Sequence, residues 1–176
     1  MDDIFLRSDN EVVVVYRLLR SEEEWINGLH RQDGFDTNIS AMHHIESGSH
    51  HRPSRFISAS KSRDVCLFYA SKSIYERGTR LGDLRIARIK LRLDHSVWDV
   101  STNRILRREM GIDHGSTADN YARVFQEVLI ERSIAVSEIS SVEQVPNGLP
   151  EARKFRDFKS EREGVALAQA LASLQI

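Results

Sequence analysis

The sequence predicts an α+β fold, because segments with strand periodicity and segments with helix signals follow one another along 176 residues. Hydrophobic residues alternate with Arg and Lys over residues 84–93, which is the pattern of a strand with one solvated face. Residues 12–16 form an unbroken apolar run, rich in β-branched side chains, that is typical of a strand buried on both faces. Residues 63–77 read as a helix that Ser62 caps and Gly78 ends.

The remaining elements are predicted from shorter signals. A capping-box pattern from Ser21 to Glu24 predicts a short helix that ends near Gly28. Residues 30–54 are polar and predict loops, and residues 103–121 leave a helix open. Short strands are predicted over residues 55–58, 96–100, 126–130 and 139–145.

Composition limits the function classes. Twenty-five Lys and Arg balance 26 Asp and Glu, so the net charge of -1 argues against a general nucleic-acid or membrane polyelectrolyte. No apolar run reaches the length of about 18 residues that a membrane helix needs. Cys66 is the only cysteine, which fits a reducing compartment. The acidic start of the chain lacks the apolar core of a Sec-type signal peptide.

Three predicted strands each end on, or carry, polar residues suited to one chemistry. The first ends at Arg17, the second carries Ser58 and Ser60, and the last carries Glu127. A guanidinium can clamp phosphates, a hydroxyl can fix a neighbouring side chain, and a carboxylate can grip a ribose hydroxyl. The set suits a dinucleotide that is cleaved at a glycosidic bond.

In this order and spacing the segments resemble the arginine-serine-glutamate class of mono-ADP-ribosyltransferase toxins, the group of cholera, heat-labile and pertussis toxins. The matching stretches are VYRLLRSEEEWINGL, the histidine of NISAMHHIESG, FISAS with the helix KSRDVCLFYAS, and QEVLIERSIAVSEI. They cover about residues 12–145. The resemblance implies two small, mostly antiparallel sheets packed at a steep angle around an NAD cleft, with flanking helices. It also implies a catalytic domain over residues 1–146 and a C-terminal helical extension over residues 147–176.

The resemblance implies a role for each matching residue. Glu127 is the expected catalytic carboxylate, Arg17 the phosphate-binding arginine, and Ser58 the residue that holds Glu127. The full set expected to bind NAD is Tyr16, Arg17, His44, Ser58, Ser60, Gln126 and Glu127. No metal is expected.

The chain departs from the class at two places. Ala59 replaces the middle Thr of a Ser-Thr-Ser strand. The class has Glu or Gln two residues before its catalytic glutamate, to engage the acceptor, whereas this chain has Phe125 there and Gln126 one residue later. In a strand Gln126 and Glu127 point to opposite faces unless a bulge or turn re-aims one of them. NAD cleavage is therefore better supported than the identity of the acceptor.

The resulting expectation is an NAD-dependent mono-ADP-ribosyltransferase of toxin or effector type, secreted or injected into a target-cell cytosol without a Sec signal. Its expected partners are NAD and an unidentified protein acceptor, with an immunity or activating protein left open. An NAD glycohydrolase that uses water is the nearest alternative, since it needs no acceptor-binding side chain and Phe125 fits it. A catalytically dead fold that acts as a binding module and a nucleic-acid-modifying enzyme remain further alternatives.

Each motif residue also has an ordinary structural interpretation. Arg17 alone could form a salt bridge with Glu11 or Glu22, and the serines alone could simply end a strand. The histidine pairs at 43–44 and 50–51 invite a zinc site, but no Cys or carboxylate completes a known spacing. Cys66 falls on the apolar side of a predicted helix and is expected to be a buried small hydrophobe.

Overall fold

The computed structural model describes residues 11–31, 34–47, 53–150 and 157–164. Six strands of unequal length form one antiparallel sheet in the order β4-β5-β2-β1-β3-β6. The strands are β1 (Val12–Leu18), β2 (Ile57–Ser60), β3 (Arg85–Arg92), β4 (Val97–Asp99), β5 (Glu127–Ile130) and β6 (Ile139–Gln144).

The sheet consists of two three-stranded halves that meet at one point. On one side β1 pairs with β3 over seven residues, and on the other β2 pairs with β5 over four. Between the halves, β1 and β2 share a single register pair, Tyr16 with Ser60. The predicted α+β class and antiparallel pairing are confirmed. The two sheets expected from the resemblance are joined through this pair into one hydrogen-bonded sheet.

Helices occupy the segments between the strands. The α-helices bounded within the described residues are α1 (Ala41–Ser47), α2 (Arg63–Arg77), α3 (Arg104–Glu109) and α4 (Thr117–Val124). Short 3-10 turns occur at Trp25–Asn27, Leu81–Asp83 and Val136–Glu138. Residues 157–164 are also helical. None of the described helices is long and apolar enough to cross a bilayer.

The predicted helix after Ser21 is wrong, since only the 3-10 turn Trp25–Asn27 forms there. The capping box from Ser21 to Glu24 does not form, because both of its side chains have other partners. The Ser21 hydroxyl donates to Glu22, and the Glu24 carboxylate accepts from the Asn27 side chain. Loops were expected over residues 30–54, yet α1 forms within them. The strand expected over residues 55–58 lies two residues later, at Ile57–Ser60.

The C-terminal extension packs onto α2 where it is described. Phe158 is buried with Val65, Phe68 and Phe125, and the Arg162 guanidinium donates to the Ser62 hydroxyl over 2.9 Å. The leucines that predicted a terminal helix beyond residue 164 lie outside the described residues. The domain boundary at residue 146 stays a prediction.

Gly28 is required where the chain turns from β1 toward Ile134. Its φ of 88° and ψ of 176° lie in a region that essentially only glycine adopts. A Cβ there would stand 2.7 Å from the Ile134 carbonyl oxygen, and Leu29 and Ile134 exchange backbone hydrogen bonds. We expect Gly28→Ala to lower the free energy of unfolding by about 2–4 kcal/mol, measured by urea denaturation.

Gly78 provides the matched control, because it also has a positive φ, 69°, but nothing lies within 4 Å of its added Cβ. Gly78→Ala is expected to cost about 1 kcal/mol. Equal losses in the two variants would contradict the close approach at Ile134.

Candidate functional site

A cleft of about 550 Å³ opens where the two halves of the sheet diverge. The predicted residues Tyr16, Arg17, His44, Ser58, Ser60 and Glu127 all line it. The N-terminal and central part of α2 closes one wall with Val65, Phe68 and Tyr69. Gln126 is not part of this lining.

Glu127 is the first residue of β5 and pairs with Ser60 of β2. The side chain is half-buried, and its Oε1 atom is buried without a hydrogen-bond partner. Burial raises the pKa of Glu127 to about 7, although a hydrogen bond from Ser58 and the charge of Arg17 act in the opposite direction. A buried carboxylate oxygen without a donor, placed in a cleft, is suited to accept a hydrogen bond from a ligand hydroxyl.

The two residues before Glu127 belong to a turn. Gln126 adopts a left-handed conformation with a φ of 48°, and its carbonyl accepts from the Lys61 backbone N–H. Phe125 ends α4, and its side chain is buried in an aromatic cluster with Phe68, Tyr121 and Phe158. This turn re-aims the chain between Gln126 and Glu127, and it leaves an apolar ring at position 125, where the resemblance predicts a side chain that engages the acceptor.

Arg17 spans the gap between the halves of the sheet. Its Nη1 donates to the Ser58 carbonyl, which ties β1 to β2 next to the single backbone pair. Its Nη2 lies 2.8 Å from Oε1 of Glu23, whose side chain is only 5% exposed. Burial alone would raise the pKa of Glu23, but the charge and hydrogen bond of Arg17, together with Arg20, hold it below its usual range.

The Glu23 ion pair replaces both partners that the sequence suggested for Arg17. Glu22 instead lies 3.3 Å from Arg20. Glu23 is a site residue that sequence reasoning missed, because nothing distinguishes it from its neighbours in a run of three glutamates.

His44 lies on α1 and connects this helix to the site. Its Nε2 lies 2.7 Å from the Ser58 hydroxyl and its Nδ1 lies 2.5 Å from the Ser54 hydroxyl. Burial, with the nearby charge of Arg17, lowers the pKa of His44 to about 4, so the ring is neutral at physiological pH. Both ring nitrogens are engaged within the protein, so His44 is placed to support Ser58. Ser54 was not predicted, since the polar loop around it gave no spacing signal.

Ser60 and Tyr16 hold the frame of the cleft. The Ser60 hydroxyl donates to the Phe125 carbonyl over 2.6 Å and accepts from the Ser62 backbone N–H, so it fastens β2 to the turn before Glu127. Tyr16 packs half-buried against the cluster of Cys66, Ala70 and Ile86.

Other candidate chemistry is not assembled in the described residues. Within that part of the chain no three His, Cys, Asp or Glu side chains form a metal-binding group, and His50 and His51 lie outside it. Cys66 is buried as predicted, and burial raises the pKa of its thiol to about 12, which disfavours the reactive thiolate.

Comparison with solved structures identifies the fold. EcPltA, a pertussis-like toxin A subunit, superposes with a TM-score of 0.51 over 76% of this chain and 82% of its own length, at 16% identity. The chain has the fold of an ADP-ribosyltransferase toxin. The nicked CARDS toxin is also similar, with a TM-score of 0.42 and 20% identity, over 74% of this chain and 24% of that one. No protein-family profile and no curated protein matches the sequence.

Within this toxin fold, the raised pKa of Glu127 gives a pH-dependent stability. Its folded-state pKa, about 7, lies above the usual value, so the stabilisation is complete at low pH and is lost as the pH rises through about 7. We expect the wild type to lose roughly 1–3 kcal/mol relative to Glu127→Gln between about pH 5 and about pH 8. Parallel profiles of Tm against pH for the two proteins would contradict this assignment.

Proposed function

We propose that this chain is an NAD-dependent mono-ADP-ribosyltransferase of toxin type that cleaves the nicotinamide–ribose bond and transfers ADP-ribose to a protein side chain. The observation that carries the proposal is Glu127, whose Oε1 is buried and unpartnered in the cleft beside Ser58 and Arg17. A ribose hydroxyl would supply the missing donor. The resemblance of the sequence motifs to the arginine-serine-glutamate class and the toxin fold support it.

In the proposed reaction the bond between nicotinamide and the ribose anomeric carbon breaks, and its electron pair leaves with nicotinamide. Positive charge grows on the ribose, and the Glu127 carboxylate would stabilise that charge while it accepts from a ribose hydroxyl. The acceptor nucleophile then forms the new bond at the anomeric carbon and loses its proton. The ionised form of Glu127 is required, so cleavage is expected to rise with pH as Glu127 loses its proton.

Two groups would prepare Glu127 for this role. Ser58 would hold the rotamer of Glu127 through its hydroxyl. Arg17 would contribute positive charge to the phosphates of NAD from the edge of the cleft, with part of that charge already balanced by Glu23. Secretion or injection into a target cell is part of the same proposal, and the toxin fold supports it.

A second candidate is an NAD glycohydrolase in which water is the acceptor. The burial of Phe125 among aromatic side chains favours it, since that position carries no carboxylate or amide to engage a protein acceptor. Gln126, whose left-handed backbone places it outside the strand, does not line the cleft in place of that residue.

Two measurements on NAD labelled in the adenylate moiety test both candidates. Chromatography measures the nicotinamide released, and the label shows where the ADP-ribose goes. The purified protein is incubated with labelled NAD alone, with eukaryotic lysate and with bacterial lysate. Label covalently bound to protein in one lysate supports the transferase. Free ADP-ribose formed equally fast without lysate supports the glycohydrolase, and the absence of nicotinamide release in all three samples would exclude both.

A further inference from the structure

We propose that Ser54 is a positioning residue, which fixes the tautomer of His44 and thereby directs the Ser58 hydroxyl proton onto Glu127. The consequence for catalysis rests on the function proposed above, whereas the hydrogen-bond chain itself does not. Hydrogen bonds join the side chain of Ser54 to His44 and that of His44 to Ser58. Ser58 and Glu127 both line the cleft, where Ser58 acts as a hydrogen-bonding group that lowers the pKa of the Glu127 carboxyl.

The direction of the chain begins at the backbone of Phe56. Its N–H donates to the Ser54 hydroxyl oxygen over 3.2 Å, and Ser54 is only 2% exposed. The buried Ser54 hydroxyl proton needs an acceptor, and the Phe56 N–H can only donate. Of the two hydrogen-bond partners of this hydroxyl, Nδ1 of His44, 2.5 Å away, is therefore the one that accepts the proton. Nδ1 is therefore the unprotonated ring nitrogen.

The direction of the next hydrogen bond, between His44 and Ser58, follows because the His44 ring is neutral. A neutral imidazole carries one proton, so Nε2 holds it and donates to the Ser58 oxygen over 2.7 Å. With its oxygen accepting from His44, Ser58 turns its own proton toward Glu127. A hydrogen bond to the carboxylate favours its ionised form, which is the form that the proposed reaction uses.

Removing Ser54 would release this constraint. Without the Ser54 hydroxyl, Nδ1 of His44 can carry the proton and Nε2 can accept from Ser58. The Ser58 proton then turns away from Glu127. Thr at position 54 keeps a hydroxyl and is expected to restore the wild-type direction.

The test measures the tautomer and the carboxyl titration directly by NMR, and then activity. In the wild type, ¹⁵N shifts of His44 should show a protonated Nε2 and an unprotonated Nδ1. In Ser54→Ala the Glu127 carboxyl should titrate about one pH unit higher, and NAD cleavage at neutral pH should fall about fivefold, as the ionised fraction of Glu127 does, with little change in KM. Ser54→Thr should match the wild type in all three measurements.

These substitutions do not alter the other groups near Glu127. Arg17 approaches it from β1, and Cys66 and Tyr69 approach it from α2. Ser71→Ala is the matched control, since Ser71 is 5% exposed on α2 and its hydroxyl donates to the Pro150 carbonyl, away from the chain. It should lower Tm as Ser54→Ala does, without moving the Glu127 titration.

Two results would overturn the proposal: a protonated Nδ1 in the wild type, or an unchanged Glu127 titration in Ser54→Ala. If Ser54→Ala fails to fold, the wild-type tautomer decides alone. A wild type with the expected tautomer and titration that cleaves no NAD would leave the hydrogen-bond chain standing and refute the proposed function.

Discussion

Glu127→Gln is expected to reduce nicotinamide release from NAD by about 10²–10³-fold while the protein stays folded. Gln keeps the shape of Glu and can still accept a hydrogen bond from a ribose hydroxyl, but it brings no negative charge to the ribose. The loss should therefore fall on kcat, with KM changed much less. Because Gln replaces a buried carboxyl with a group that cannot ionise, the Tm of the variant at neutral pH should equal or exceed that of the wild type.

Glu131→Gln is the matched control for that experiment. Glu131 directly follows β5 and forms an ion pair with Arg55 over 3.2 Å, away from the cleft lining. A partly exposed pair of this kind contributes at most about 1 kcal/mol, so both activity and Tm should remain near the wild-type values. If Glu127→Gln retained more than about a tenth of the wild-type rate, Glu127 would not be the charge that stabilises the transition state.

The elements predicted from strong local signals were confirmed by the structure. The helix over residues 63–77 has its predicted bounds, because an apolar set and a glycine in the left-handed conformation act within one segment. Ser62 occupies the N-cap position as predicted, but its side chain makes no capping hydrogen bond. The alternating strand over residues 84–93 forms as Arg85–Arg92. In both segments the local pattern and the tertiary packing favour the same structure.

The failures occur where a distant residue competes for a local signal. The capping box from Ser21 to Glu24 is a valid helix start on its own, but the buried Arg17 holds the intervening Glu23 in an ion pair, and only the 3-10 turn Trp25–Asn27 forms. Gln126 is polar and adjacent to Glu127, so sequence periodicity extends β5 to include it, whereas the end of α4 forces it into a left-handed turn. Such competition depends on contacts between segments and is not encoded in either segment alone.

Part of the site was predictable because three of its residues lie on strands that the sequence predicts. The sequence places Arg17, Ser58 and Glu127 near the ends of three strands. Pairing of these strands brings their ends together at one cleft. The supporting residues Glu23 and Ser54 lie in turns and polar loops, where their positions follow from the three-dimensional path of the chain. Their burial, 5% exposure for the Glu23 side chain and 2% for Ser54, is visible only in the fold.

Arg17→Ala is expected to lower the free energy of unfolding by about 3–5 kcal/mol, which is the largest stability effect of any single substitution at the site. The substitution leaves the Glu23 carboxylate buried without its main countercharge and leaves the Ser58 carbonyl without its donor. Urea denaturation measures the loss. Arg88→Lys is the control, since Arg88 lies on β3 and its guanidinium donates to the Ser140 hydroxyl in an exposed pair, so a change below about 0.5 kcal/mol is expected.

The pH dependence of this pair separates a buried ion pair from simple loss of packing. Because the folded-state pKa of Glu23 is lowered, the stabilisation that it provides is complete above the usual Glu pKa and is lost as the pH falls through the lowered value. The wild type should therefore lose this contribution in acid, whereas Arg17→Ala should lose less. In Arg17→Ala with Glu23→Ala, the combined loss should be smaller than the sum of the two single losses, since the buried, unpaired carboxylate is gone. Additive losses and parallel acid profiles would show that Arg17 acts through its contact with β2 alone, independently of Glu23.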